Sequence, residues 1–404
     1  MLTETLKRLL PETPAFVYDQ TAIDRTLERF KQATGESGPK LLYSVKSFPF
    51  LPLLRRIAPY VDGFSASSLF EAKLCAEALA GRGSLHITTP GFVPGEIDEI
   101  GRLCDFVSFN SLEQFDHWAG RMARRERSRT ACRERSRTEG AASVGLRVNP
   151  QRSFLTDPRY DPCRPHSKLG VPLDRLVLAL AGAGRTERLQ GVHFHTVFDC
   201  AGFEPLTETL AALENHLGVH LKSLQWINLG GGYRLDRGAD LERLAGVSAR
   251  LRQGYGVEVY FEPGKAVTGP AGYLVASVID VFDSGGKTVA VLDTGINHHP
   301  EVFEYQRSPR LAEACEEGEE TAILAGGTCL AGDLFGEYSL PARPRVGDRF
   351  VFEDVGAYTL VKANRFNGRN LPSIYCWDGE ALRLEQSYGY QDYRRQWAGE
   401  PAGQ

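Results

Sequence analysis

The chain has 404 residues, 42% of them hydrophobic and 10% aromatic, with a formal charge of −4. That length suits two domains with sizeable cores. The near-balanced charge sets up no field that would draw nucleic acid or a membrane surface, so neither is an expected partner.

The start, "MLTETLKRLLPETPAFVYDQ", has charges within its first ten residues and no long apolar run, so neither a signal peptide nor a membrane span is expected. In it, "PAFVYD" (14–19) reads as a strand that joins a domain formed later in the chain. Eight β-rich segments follow: "KLLYSVK" (40–46), "VDGFSA" (61–66), "LHITTP" (85–90), "DFVSFN" (105–110), "VGLRVN" (144–149), "GVHFHT" (191–196), "WINLGG" (226–231) and "VEVYFEPG" (257–264). Between them lie amphipathic helix candidates such as "SLFEAKLCAEALA" and "LERLAGVSARLRQGY". Eight alternating units predict an α/β fold, a (β/α)8 TIM barrel over residues 21–268. A doubly wound open sheet is the structural alternative. "RERSRT" occurs at 125–130 and again at 133–138. This arginine-rich insertion, about 124–140, reads as a solvated, disordered segment, with an RNA or anion patch as the functional alternative. After Pro270 the texture changes: "GYLVASVIDVF", "KTVAVLD", "EETAILAG", "GDRFVFEDV" and "SIYCWDGEALRLE" read as strands without long helices between them. Residues 1–20 and 269–404 therefore make a predicted C-terminal all-β domain. Eight cysteines (75, 104, 132, 163, 200, 315, 329 and 376) form no C-x-x-C pair, which fits a reduced, cytoplasmic protein with free thiols and no zinc site.

In a (β/α)8 barrel, function gathers at the C-terminal ends of the strands. Those ends read Lys46, Ser65, Asn110, Arg147, His195 with Thr196, Gly230–Gly231–Gly232, and Glu262. Singly, each has a bland reading. Lys46 could be a snorkelling strand-end lysine. His193 and His195 share a strand face, as a metal pair or as a core histidine beside a working one. "NLGGGY" could be a tight turn or a phosphate cradle, since glycine lets backbone N–H groups approach an anion. Glu262 could be a capping acid. Together they suit one cofactor: an amine that forms a Schiff base with an aldehyde, a loop for its phosphate, a flat histidine for its ring, and a carboxylate for its ring nitrogen. Those are the needs of pyridoxal 5′-phosphate, the electron sink for amino-acid carbanions.

The chain resembles the alanine-racemase-fold, pyridoxal-phosphate-dependent decarboxylases, and within them the carboxynorspermidine decarboxylase family. "YSVKSF", "SASSLFEAKL", "GLRVNP", "SKLGVP", "GVHFHTVFD", "INLGGGY", "YFEPGK", "VAVLDT", "CLAGDLFGEY", "GAYTLVKANRFNG" and "YGYQDY" carry the likeness nearly end to end. The resemblance implies that Lys46 carries the cofactor, His195 stacks on its ring and Glu262 pairs with its ring nitrogen. Gly231 and Gly232 bind its phosphate with Tyr358, and Arg147 lies near the ring hydroxyl. It implies Cys329 as proton donor and Asp333 as an acid facing the substrate amine, on a loop that enters a partner's site in a homodimer. The implied reaction removes the α-carboxylate of carboxynorspermidine or carboxyspermidine to give norspermidine or spermidine. No metal is implied. Glu262 favours decarboxylation over racemisation, because racemases of this fold carry arginine there.

Three positions depart from the family pattern. The second glutamate of "EPGE" is Lys265, a charge reversal; Asp199 replaces the glutamate of "HTLCE"; and Glu301 replaces the aspartate of "HMPD". A lysine near a polyamine ammonium would repel it by a few kcal/mol at an effective dielectric of roughly 20. Lys265 therefore raises other readings: a decarboxylase of a different amino acid in a natural-product or siderophore route, or a Lys265 turned toward the phosphate. A non-catalytic, cofactor-binding regulatory paralogue and a metal-dependent barrel hydrolase using His193 and His195 are further alternatives.

Overall fold

The computed structural model describes residues 2–122, 141–182 and 185–399. The expected arginine-rich insertion at 124–140 lies outside the described residues. The chain divides into two compact units, residues 24–267 and residues 1–23 with 268–404.

The strands run, in order, β1 (Ala15–Asp19), β2 (Lys40–Ser44), β3 (Gly63–Ala66), β4 (Ser84–Thr88), β5 (Phe106–Phe109), β6 (Ser143–Asn149), β7 (Val171–Pro172), β8 (Gly191–His193), β9 (Trp226–Asn228) and β10 (Glu258–Phe261). Then follow β11 (Gly272–Ser284), β12 (Lys287–Leu292), β13 (Glu320–Ala325), β14 (Leu334–Leu340), β15 (Arg349–Phe352), β16 (Ser373–Trp377) and β17 (Leu382–Gln386).

In the unit 24–267, the eight predicted segments pair in parallel in the order β5-β4-β3-β2-β10-β9-β8-β6, and β5 pairs back to β6. That closure makes a barrel and excludes the open sheet. β7 pairs only with the end of β6 and extends it outside the ring. Each strand is short and apolar on both faces because the barrel interior covers one side and helices the other. The helix Leu69–Leu79 shows how the units are punctuated. Ser68 caps it by accepting from the Glu71 N–H at 3.2 Å, and Ala80 ends it in the left-handed region (φ 46). Toward the N-terminal ends of the strands an aromatic layer fills the barrel. His86 stacks on Phe106 at 4.2 Å, Tyr260 and Trp226 close around them, and the Trp226 Nε1–H donates to Ser143 Oγ at 2.8 Å.

The other unit is mostly sheet, ordered β14-β13-β12-β11-β1-β16-β17, with β15 on β11. β1 joins it as predicted, antiparallel to β11 and parallel to β16. Its core holds Leu6, Leu10, Val17, Val275 and Val351. The strand β14 begins inside "CLAGDLFGEY" and was not among the predicted strands; its exposed Leu334 and central Gly336 blur the alternation by which strands are read.

Candidate active site

The barrel unit holds eight of the predicted residues, Lys46, Arg147, His195, Gly231, Gly232 and Glu262 with Asp199 and Lys265. Lys46 sits one turn past β2, in the short 3₁₀ turn Val45–Ser47 and not in the strand itself. Ser47 anchors that turn, its Oγ lying 2.8 Å from the Ser44 carbonyl and 2.9 Å from Tyr43 Oη. Ser44 N–H donates to the Pro263 carbonyl at 3.0 Å, so the Lys46 turn is tied to the Glu262 loop. β8 stops at His193, leaving His195 on the loop beyond it. The two histidines face different partners. His195 Nδ1 accepts the Gly231 N–H at 3.2 Å, while His193 Nε2 lies 3.7 Å from Glu262 Oε2. Among the described residues no group of three or more potential metal ligands comes together.

Glu262 follows β10 and is buried. Its Oε1 accepts from Asn228 Nδ2 at 2.6 Å, and Ser65 of β3, two strands away, also hydrogen-bonds it. Asn228 in turn accepts the Gly230 N–H at 2.9 Å, so one amide fixes both the carboxylate and the glycine loop. Burial pushes the Glu262 carboxyl above its ordinary range, against the pull of Lys46, Asn228, Ser65 and Arg147. Lys46 keeps solvent-accessible surface, yet protein crowds its amine. Desolvation pulls the amine below its ordinary value, Arg147 adds to that, and Glu262 and Glu71 oppose it. Burial brings Arg147 down to about 10, which still leaves it cationic at neutral pH. His193 and His195 are held well below their ordinary value by desolvation and by the neighbouring cations, so both are neutral.

At the rim, two residues expected to face substrate face each other. Lys265 Nζ lies 3.0 Å from Asp199 Oδ2, and Arg234 Nε lies 3.0 Å from Asp199 Oδ1. Lys265 also sits 5.3 Å from the centre of the Phe198 ring. Burial raises the Asp199 carboxyl, but Arg234 and Lys265 outweigh it and hold it below the ordinary range. Asp199 has a left-handed backbone (φ 53), uncommon for a non-glycine residue.

The remaining predicted residues lie in the sheet unit. Cys329 is exposed, and its N–H donates to Asn367 Oδ1 at 2.8 Å. Arg369 donates to the Gly327 carbonyl of the same loop. Asp333, expected to face a substrate amine, is buried and fully engaged by its own unit. Its Oδ1 accepts the Ile296 N–H at 2.8 Å, and its Oδ2 accepts Thr328 N–H at 3.0 Å and Thr328 Oγ1–H at 2.5 Å. Glu301 is buried and accepts from Thr359 Oγ1 at 3.0 Å, with Tyr305 also bonded to it. Tyr358 adopts a positive φ of 66, immediately before the helix Thr359–Lys362. Such backbone persists where surroundings enforce it, commonly at ligand clamps.

Sequence reasoning passed over Asn228, Glu71, Asn367 and Arg369. Asn228 had a legible signal, as an amide at a strand end directly before three glycines. Glu71 reads as the acidic partner of a capping box; its side chain instead accepts the N–H of Ser67, the residue before the N-cap Ser68, at 2.6 Å.

Two features of the barrel fit an anionic, aldehyde-bearing cofactor. The Arg147 guanidinium is buried, with no hydrogen-bond partner or ion pair among the described residues, although buried guanidinium groups normally have one. The glycine loop presses on the strand ends: an added Cβ at Gly231 would run into the Glu262 carbonyl, and one at Gly232 into the Val197 carbonyl. The Gly232 N–H makes no hydrogen bond to described residues and is free for an acceptor. Fold and site therefore fit a barrel protein that holds a phosphorylated aldehyde at a lysine.

A family profile described as "Pyridoxal-dependent decarboxylase, C-terminal sheet domain" matches residues 15–356. A carboxynorspermidine/carboxyspermidine decarboxylase of Herminiimonas arsenicoxydans is 32% identical over 94% of this chain and 98% of its own. A carboxyaminopropylagmatine decarboxylase of Synechocystis is 30% identical over 95% and 94%. The crystal structure of a Campylobacter jejuni carboxynorspermidine decarboxylase complexed with norspermidine superposes with a TM-score of 0.81 at 28% identity, covering 95% of this chain and all of the other. The chain belongs to the pyridoxal-dependent decarboxylases, and its cofactor is pyridoxal 5′-phosphate.

Proposed function

We propose that this decarboxylase acts on carboxynorspermidine or carboxyspermidine, releasing CO2 and leaving norspermidine or spermidine. The carboxylate of Glu262, buried beside Lys46 and Arg147, carries the chemistry of the reading. Near-full-length similarity to relatives named for these substrates supports the choice of tail.

Lys46, Arg147, His195, Gly231, Gly232 and Glu262 would hold the cofactor, with Tyr358 adding a phosphate contact. Bound there, it supplies an aldehyde that joins to amines and a ring that draws electrons from the substrate's Cα. Lys46 contributes an amine whose lowered proton affinity leaves more of it nucleophilic at neutral pH. Glu262 keeps a proton at the ring nitrogen. Arg147 is a fixed cation for an oxygen of the ligand, and the neutral His195 offers its flat face, its Nδ1 being engaged by Gly231. Cys329 donates a proton to Cα from an exposed thiol. Asp199, Lys265 and Glu301 set the charge met by the substrate's tail, and Asp333 acts on substrate only by holding the Cys329 loop.

The working form is a cytoplasmic homodimer in which the Cys329 loop of one subunit completes the site of the other. Supporting this, β14 is the edge of its sheet and exposes Leu334, with Leu330 beside Cys329 and Phe366 also exposed. An apolar edge strand of this kind is a pairing surface. The seven described cysteines are all free, and no helix among the described residues is long and apolar enough to cross a membrane.

A second reading keeps the chemistry and changes the tail to a guanidino group, favoured by the Synechocystis relative. Cofactor-loaded protein incubated with carboxynorspermidine, carboxyspermidine, carboxyaminopropylagmatine, diaminopimelate, ornithine and lysine decides between them. Triamine and CO2 from the first two support the proposal; turnover of none of those two by cofactor-loaded protein overturns it. Mixing Lys46→Ala with Cys329→Ala protein should recover activity if sites are shared between subunits.

A further inference from the structure

His193 has no role in the chemistry above, and packing does not explain it. It closes β8 inside the barrel with 2% of its surface exposed, and neither ring nitrogen has a hydrogen-bond partner among the described residues. A buried polar group left so costs about 1–3 kcal/mol, and a leucine or methionine would fill the space without that cost. Among the groups that act electrostatically on it, Arg147, Lys46, His195 and His86 are cationic or neutral, drawn from four different segments of the barrel. The anionic group paired with it is Glu262, whose Oε2 lies 3.7 Å from His193 Nε2. That separation is too long for a hydrogen bond, but a movement of well under 1 Å would make one. The opposite oxygen of Glu262 is already taken by Asn228.

We propose that His193 is a positioning residue for Glu262: a neutral imidazole whose Nε2–H stands behind Oε2 and closes onto it when the carboxylate carries its charge, keeping Glu262 charged and aimed. The inference rests on the reading of Glu262 as the partner of the cofactor's ring nitrogen. It assigns a second function to the "HFH" strand end, in which the outer histidine faces the ligand and the inner one faces the carboxylate.

The test uses full-length, cofactor-loaded protein. In His193→Met the space is filled but the donor is gone; in His193→Gln an amide N–H reaches to about the position of Nε2. The visible absorbance of the bound cofactor is titrated against pH, cofactor affinity is measured by fluorescence quenching, and kcat and KM are determined. His193→Met should shift the midpoint of the spectral titration and lower kcat about tenfold, with KM nearly unchanged. His193→Gln should restore most of both, and in a Glu262→Gln background His193→Met should have no further effect. Should His193→Met fail to fold, His193→Asn replaces it, since its shorter amide does not reach Oε2; Gln must then outperform Asn. A His193→Met enzyme with wild-type spectrum and kcat, or Gln no better than the non-donating variant, overturns the proposal. So does an undiminished effect in the Glu262→Gln background. If Glu262→Gln itself leaves the cofactor spectrum unchanged, the reading of Glu262 falls with it; if Glu262→Gln is impaired and His193 is silent, only the role of His193 falls.

Discussion

Asp333→Asn separates a carboxylate that binds substrate from one that builds the loop next to the thiol. In the folded protein, Asp333 receives three hydrogen bonds, from Ile296 N–H, Thr328 N–H and Thr328 Oγ1–H. The backbone of Gly295 and Gly326 closes on it, so that an added Cβ at either would run into the Asp333 carboxylate. An asparagine has one acceptor oxygen and one donor nitrogen. If its oxygen takes the Thr328 side, its NH2 faces the Ile296 N–H; if it takes the Ile296 side, the NH2 faces the Thr328 N–H. Either way one buried amide is orphaned, at about 1–3 kcal/mol, and the surviving bonds lose their charge assistance, about 1 kcal/mol more. The sum is roughly 2–4 kcal/mol, which for a unit of this size lowers Tm by about 5–15 °C.

Thr328 immediately precedes Cys329, so the same change loosens the thiol. We expect Asp333→Asn to melt early, to react faster with a thiol reagent at Cys329, and to lose kcat more than it raises KM. Differential scanning calorimetry, thiol titration of an otherwise cysteine-depleted background, and steady-state kinetics read these three outcomes. An unchanged Tm with a large rise in KM alone would refute the reasoning and return Asp333 to direct contact with the substrate.

Two further predictions concern charge. Replacing Lys265 with methionine removes one of the two cations on Asp199. At this partly exposed site the released charge is worth about 1 kcal/mol, so KM for a cationic-tailed substrate should fall about fivefold. A rise in KM would mean that Lys265 itself holds the ligand. His298 and His299 are buried in the sheet unit and held neutral by desolvation, each down to about 4. An unfolded chain, with ordinary histidines near 6.5, therefore takes up protons first as pH falls. Stability should be full above about pH 6.5 and be lost progressively toward pH 4, by roughly 3 kcal/mol per histidine at most. Desolvation is the largest influence on His299, so His299→Met should flatten that dependence in urea melts at pH 7 and pH 5. Equal slopes in the variant and the parent would count against it.

The barrel was legible because its grammar is local. Eight apolar segments alternate with amphipathic ones, and a barrel strand's end is where its apolar run stops, so Lys46, Arg147 and Glu262 could be read off as neighbours before any contact was known. Relations between distant loops were not legible. Lys265 and Asp199 are 66 positions apart, and nothing local marks a partly exposed lysine as already neutralised. Read alone, Lys265 predicted repulsion of a cationic tail; paired, it leaves Asp199 with less charge to offer, a weaker and different effect. The bonding of Asp333 was hidden in the opposite sense. An aspartate in a motif beside a thiol looks like chemistry, but the N–H groups that consume it belong to Ile296 and Thr328, and backbone donors carry no sequence signal. His193 was left open between core and ligand because periodicity gives a side chain's face and not its partner.

Depth within the barrel unit divides the remaining tasks. Lys46, Arg147, Glu262 and His193 are crowded by protein, where each charge is felt strongly by the next and a missing partner is expensive. There, positions are coupled: altering one shifts the proton affinity of the others, as Lys46 and Glu262 already show in opposite directions. Asp199, Lys265 and Arg234 sit at the rim, where solvent and salt weaken each contribution. A change at the rim can therefore alter which tail is accepted while leaving the proton balance of the buried set intact. On the roles proposed above, a change in the buried set cannot spare the chemistry. On the same roles, a charge reversal at Lys265 is compatible with decarboxylation, and the same reversal at Glu262 is not.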